Sequence, residues 1–146
     1  MSRCTSFAQL FLRLALGAGF IYPVMDRLGW LGAPDSGKAV WGNWDHFVAY
    51  THTLLPFLNT KSSGIMAFLA TISEAVFGIS LIAGFKTRIV AIGSSLLTFI
   101  FAICMTFFIS PDAALKYPVF VFCAAGLLLA TIPFYKWSID FALRSK

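Results

Sequence analysis

Ser63–Ala83 reads SGIMAFLATISEAVFGISLIA. A helix needs about 20 mostly apolar residues to cross the hydrocarbon of a bilayer, and this stretch supplies them. One carboxylate, Glu74, interrupts it. An ionised group in hydrocarbon costs about 2.5–3.5 kcal/mol on insertion scales, so it persists where a partner, a cavity or a function holds it. The stretch therefore reads as a membrane span that needs a partner for Glu74.

The rest of the chain agrees. Hydrophobic residues make up 59% of it, with sixteen Phe. Mean hydropathy is +0.83. Charged residues are 12%, against roughly 25% in a soluble domain. Three more spans follow from the same count. The first is Phe7–Val24 (FAQLFLRLALGAGFIYPV), which contains Arg13. Ile89–Ile109 (IVAIGSSLLTFIFAICMTFFI) and Tyr117–Phe134 (YPVFVFCAAGLLLATIPF) carry no charge. The link Gly84-Phe85-Lys86-Thr87-Arg88 is short, which makes its two helices antiparallel neighbours. Ser110–Lys116 reads as a polar turn. The predicted fold is all-α: one domain over residues 1–146, a polytopic membrane four-helix bundle.

Residues 25–62 form one long outer segment, and long connections usually carry structure or function. Asp26–Gly42 is rich in Gly, Pro, Asp and Ser and reads as irregular. Trp44–Leu58 (WDHFVAYTHTLLPFL) is apolar but interrupted by Asp45, His46, His52 and Pro56. It predicts a short interfacial helix between spans 1 and 2, broken near Pro56. Trp30, Trp41, Trp44 and Tyr50 suit the headgroup level.

Lys and Arg set the orientation. Arg3, Lys86, Arg88, Lys136, Arg144 and Lys146 fall on one side; Arg27, Lys38, Lys61 and Lys116 fall on the other. The first side, with both termini, is predicted to be cytoplasmic. The first span is expected to be retained, because it carries Arg13 and no clear small-x-small cleavage site. The net charge of +5 points to topology and anionic lipid, not to nucleic acid.

Arg13 and Glu74 lie on consecutive spans with opposite charge, so each is the expected partner of the other in a buried ion pair. Arg13, Gly17 and Phe20 share one face; Ala67, Thr71, Glu74 and Gly78 share another. One geometric rule opposes the pairing: side chains lean toward their own helix N-terminus, so these two lean apart. The pair reads as a clamp on helix register, with a redox or proton-coupled role for Glu74, or snorkelling of Arg13, as alternatives.

Cys4, Cys104 and Cys123 make no C-x-x-C pair. Cys104 and Cys123 fall at similar expected depth and read as small apolar packers. His46 and His52 are six apart and point to different faces of one helix, so neither haem nor a metal site is indicated. Trp41, Trp44, His46, Tyr50 and His52 are the candidates for contact with a quinone headgroup or a partner protein. No motif assigns a catalytic residue or binds a recognisable cofactor.

Two blocks carry a resemblance. One is Leu12-Arg13-Leu14-Ala15-Leu16-Gly17 with Phe20 and then Asp26-Arg27-Leu28. The other is Glu74-x-x-x-Gly78-x-x-Leu81-x-x-Gly84, followed by Thr87-Arg88. In this order they resemble the DoxX family of small four-helix membrane proteins and the related DoxD small subunit of thiosulfate:quinone oxidoreductase. The resemblance implies a bacterial inner-membrane subunit that works with a membrane redox enzyme and the quinone pool. Because the chain contains no cofactor motif that could accept electrons, it reads as an accessory subunit more than a stand-alone catalyst, with any flavin, haem or metal on a partner. The alternative is a non-catalytic scaffold or assembly subunit, and either reading leaves room for a homo-oligomer.

Overall fold

The computed structural model describes residues 3–144. Seven α-helices stand among the described residues: α1 (Arg3–Arg27), α2 (Trp44–Leu54), α3 (Thr60–Ala83), α4 (Thr87–Phe108), α5 (Pro111–Lys116), α6 (Val119–Thr131) and α7 (Ile139–Arg144). Three of them, α1, α3 and α4, are long and apolar enough to cross a membrane. Their outward faces are apolar and their inward faces small or polar. Down α3, Ile65, Phe68, Ile72, Val76 and Ile79 are exposed, while Ser63, Ala67, Thr71, Glu74 and Gly78 are buried. That inverted pattern is what lipid demands: apolar outside, with small residues where helices meet.

The limits of α3 and α4 lie within three residues of the expected spans. α1 runs one turn further than its apolar stretch, past Pro23, and so carries Asp26 and Arg27 on its last turn. Tyr117–Phe134, expected as one span, is instead broken at both ends. Tyr117 takes an extended conformation (φ −88°, ψ 110°) before Pro118, and Ile132 does the same (φ −71°, ψ 128°) before Pro133. The cause is the proline ring, which clashes with the residue before it in the α conformation. What remains helical is α6, 13 residues long. The expected polar turn 110–116 is mostly α5, capped by Ser110 accepting from the Ala113 N–H.

The long helices form two tight antiparallel pairs. In the first, α1 meets α3 where Gly17 faces Gly78: a Cβ on Gly17 would stand 2.9 Å from the Gly78 carbonyl oxygen. Only glycine on both sides lets the backbones touch. In the second, α6 lies along α4 with Gly126 against Ser95 Oγ, and its Cβ would stand 3.1 Å from the Ala91 carbonyl. A cluster of Leu16, Phe20, Leu81, Val90, Ala91 and Leu129 joins the pairs at the end that holds the termini. At the other end the pairs are bridged by α2, through Leu54, Met105 and Ala114.

The α3–α4 turn is stapled from a distance. Gly84 (φ 70°) and Lys86 (φ 47°) are both left-handed, so the first N–H groups of α4 lack a local cap. Asp140 supplies one, accepting from the Lys86 N–H and the Thr87 N–H at 2.7 Å each. A carboxylate there satisfies orphan donors and favours the positive end of the helix dipole.

Candidate functional site

A cavity of about 670 Å³ lies in the seam between the two helix pairs. Its floor is aromatic. Phe20 and Phe122, both in the lining, stand edge-on at 6.1 Å between ring centroids, and Phe77, outside the lining, packs edge-on to Phe20 at 6.5 Å. Its roof is α2 with the segment before it, through Trp41, Phe47, Tyr50, Thr51 and Leu54. The openings are lateral. Exposed residues border the cavity between α3 and α4 (Met66, Leu69, Ile100) and between α1 and the start of α6 (Val40, Tyr117). The walls are mostly apolar, and their charged residues are Arg27 and Glu74.

These two form the buried ion pair. Arg27 Nη1 lies 2.6 Å from Glu74 Oε2, and the two side chains are only 3% and 5% exposed. The expected Arg13–Glu74 pairing is therefore corrected. The register explains why. With Gly17 level with Gly78, Arg13 stands level with Ile82, eight residues or about 12 Å along the axis from Glu74, and the two side chains lean apart. Arg27 stands about six residues, or 9 Å, on the other side of Glu74. Its side chain leans down toward the carboxylate while Glu74 leans up, so the pair closes.

Arg27 is held on every side. Its Nη1 also donates to Thr71 Oγ1 at 3.0 Å. The guanidinium lies over the Phe47 ring, 3.7 Å from its centroid, and 5.1 Å from the Trp41 ring. Cation–π contacts of this kind gain strength when desolvated. The Trp41 ring is brought there by the residue beside Arg27. Asp26, buried, accepts from three consecutive backbone N–H groups: Val40 (2.8 Å), Trp41 (3.1 Å) and Gly42 (2.9 Å). One carboxylate thus folds the irregular segment back onto the end of α1. Gly42 (φ 68°) completes the fold, where a Cβ would collide with Pro34.

Arg13 has a different task. It is 2% exposed, and its Nη2 donates to the Trp137 carbonyl at 2.7 Å. One turn away, Gln9 donates to the Lys136 carbonyl at 2.9 Å. Both serve backbone left without helical partners after α6 ends. Non-helical backbone is tolerated at membrane depth only where protein satisfies it.

Of the five residues singled out for headgroup contact, two border the cavity: Trp41 and Tyr50. Burial, and then neighbouring Tyr117, hold the Tyr50 hydroxyl above the usual tyrosine range, so it stays a neutral phenol. His46 acts behind the wall. Its Nδ1–H donates to the Trp41 carbonyl at 2.9 Å, which fixes that residue from outside. Trp44 packs on Phe47 at 6.0 Å, and His52 pairs with Ser63 Oγ at 3.2 Å, both away from the cavity lining. Cys104 borders the cavity, and all three cysteines are free. Cys104 and Cys123 are not level: with Gly126 against Ser95, Cys123 stands level with Thr98, about six residues or roughly 9 Å from Cys104.

No curated protein and no solved structure matches the chain significantly. The DoxX family model matches residues 8–109. That range holds most of α1 and all of α2, α3 and α4, with Asp26, Arg27, Trp41 and Glu74 inside it. The chain belongs to the DoxX family.

Proposed function

We propose that this protein is a membrane subunit of a redox complex that holds a quinone-class lipid in the seam cavity. The observation that carries the reading is the cavity itself: mostly apolar walls, lateral openings, and one buried polar spot at Arg27 and Glu74 beside two aromatic side chains. Ligand sites combine apolar walls with a few placed polar groups in this way. A roof above and an aromatic floor below leave the bilayer as the route of access, so the ligand is lipid-soluble. Among the described residues no group of three or more His, Cys, Asp or Glu is gathered that could hold a metal ion. In this reading the electrons pass through a partner protein, and the chain positions the lipid.

The test is binding of a short-chain benzoquinone in detergent, followed by quenching of Trp fluorescence. Tyr50→Ala is expected to weaken binding roughly tenfold, the worth of one good aromatic contact. Trp44→Ala, outside the lining, is expected to leave it unchanged. Equal affinity for all three proteins, or loss only where the melting transition is also lost, would sink the proposal.

The same reading takes α6 and its extended continuation as a fourth crossing, places α2 on the outer membrane face, and puts both termini in the cytoplasm. The Lys and Arg distribution supports it. Reporter fusions check it: an external signal after Ser110 and a cytoplasmic one after Lys146 are expected. The reverse at either site would overturn the topology.

A further inference from the structure

At the end of the bundle that holds the termini, a second concavity of about 380 Å³ lies between the start of α4 and the chain that follows α6. Its lining brings two kinds of surface together. Lys86 and Arg88 carry charge, and both are exposed. Ile89 and Leu143 carry apolar side chains, and they are exposed as well.

The charges at this end do not balance. The one ion pair among the described residues joins Arg27 to Glu74, so Lys86 and Arg88 have no counter-charge at that range. Asp140, the carboxylate in the lining, is already committed: its two oxygens accept from the Lys86 and Thr87 N–H groups. The start of α4 is thereby capped, and the side-chain cations are what is left over. One residue further in lies a third cation. Arg13 is buried, and its Nε and Nη1 have no hydrogen-bond partner. A Cβ on Gly84 would stand 2.7 Å from that Nη1, and the Gly84 carbonyl accepts the Asp140 N–H at 3.0 Å. Three cations thus face one carboxylate. A buried cation without a counter-charge is costly, and an anion drawn into the concavity offsets part of that cost across a low-dielectric path.

The setting decides what carries the anion. Phe134 and Trp137 are exposed at the same end, as aromatic rings are at the headgroup level of a bilayer. A free phosphate ion would meet the cations and leave Ile89 and Leu143 bare. A phospholipid would meet both, through its head group and the upper part of its acyl chains. Basic pockets between membrane helices bind lipid head groups in this way.

We propose that this concavity holds one anionic phospholipid, with its phosphate on Lys86 and Arg88 and its acyl chains against Ile89 and Leu143. The lipid ties the α3–α4 turn to the chain after α6 and supplies the negative charge that this end of the bundle lacks. The site is separate from the seam cavity, and it stands whatever that cavity holds.

The experiment titrates the intact protein, in a neutral detergent, with phosphatidylglycerol, with phosphatidylcholine of the same acyl chains, or with inorganic phosphate. Bound lipid is counted by native mass spectrometry, and thermal melting gives an independent readout. One phosphatidylglycerol is expected to bind roughly tenfold more tightly than phosphatidylcholine. Lys86→Asn with Arg88→Gln is expected to weaken phosphatidylglycerol roughly thirtyfold, at about fivefold for each cation. Asn suits position 86 because the backbone there is left-handed (φ 47°), a conformation Asn tolerates. Lys38→Gln with Lys61→Gln removes the same charge elsewhere and is expected to leave binding unchanged. If the first double variant does not fold, Arg88→Gln alone is expected to show the fivefold loss. Equal binding of the two lipids, unchanged binding in the Lys86 and Arg88 variants, or equal loss from both double variants overturns the proposal. Inorganic phosphate binding as tightly as phosphatidylglycerol overturns the lipid as the source of the anion.

Discussion

Arg27→Met is expected to destabilise the protein by about 3–5 kcal/mol, the usual cost of removing one partner from a buried ion pair. Glu74 would be left as a carboxylate in an apolar seam. Glu74→Gln is expected to cost a similar amount for the mirror reason, since Arg27 would keep Thr71 and the two aromatic faces but lose its counter-charge. The double variant should be milder than the sum, because it leaves no charge stranded. Thermal melting of the four proteins in one detergent supplies the cycle. The contrast with Arg13 is the discriminating part. Arg13 and Glu74 share no partner, so Arg13→Met with Glu74→Gln should be additive within about 0.5 kcal/mol. If coupling appears in that cycle and not in the Arg27 cycle, the assigned pair is wrong.

Asp26→Ala is the second large effect. Three backbone N–H groups would lose a charged acceptor at once. A hydrogen bond to a charged group is worth about 1.5–3 kcal/mol. The three donors are only part-buried and can reach water, so the net loss is expected near 3–5 kcal/mol and not at the simple sum. The local signature is more specific than the melting temperature. With its anchor gone, the segment from Gly29 to Asn43 should come away from α1, and trypsin should cut at exposed Lys38 long before it cuts elsewhere. Unchanged cleavage at Lys38 would mean the segment is held by something other than Asp26. The quinone-binding assay should fall in parallel, because Trp41 reaches Arg27 only while that segment is folded back.

Much of this fold was legible because a bilayer imposes a simple rule on composition. Uninterrupted apolar length marked α1, α3 and α4 to within a turn, and polar interruptions with Pro56 marked α2. Two prolines that also stood in plain view, Pro118 and Pro133, were swamped by the hydropathy of the residues between them. Their backbone effect outweighs hydropathy because it acts on the residue before each ring, whatever its side chain.

The ion pair was half legible. The need for a partner to Glu74 followed from its setting, but the apolar stretch ends at Val24, just before the adjacent charges Asp26 and Arg27, and so left Arg27 outside the span. The lean of side chains toward the helix N-terminus already opposed Arg13, and applied to Arg27 it favours the pair found. The role of Asp26 had no local signal. Its three donors lie 14 to 16 residues away in an irregular segment, where no periodicity constrains them. Trp41 and Tyr50 could not be separated from Trp44, His46 and His52 by composition alone, because all five are amphipathic. Only the tertiary position of α2 sorts them.

The shortness of α6 has a consequence for the backbone beyond it. Thirteen helical residues rise about 20 Å, against about 30 Å of hydrocarbon in a typical bilayer. With the fourth leg crossing the bilayer as proposed, the rest of its reach comes from non-helical residues such as Ile132, Pro133 and Phe134, at up to about 3.3 Å each. That stretch gains length by giving up the internal hydrogen bonds a helix would have supplied. The leg is therefore self-sufficient over α6 alone, and its last third depends on donors and acceptors lent by other parts of the chain. Gln9 and Arg13, which reach across to the Lys136 and Trp137 carbonyls, are the nearest such lenders, so a change in α1 would be felt at the far end of the fourth leg.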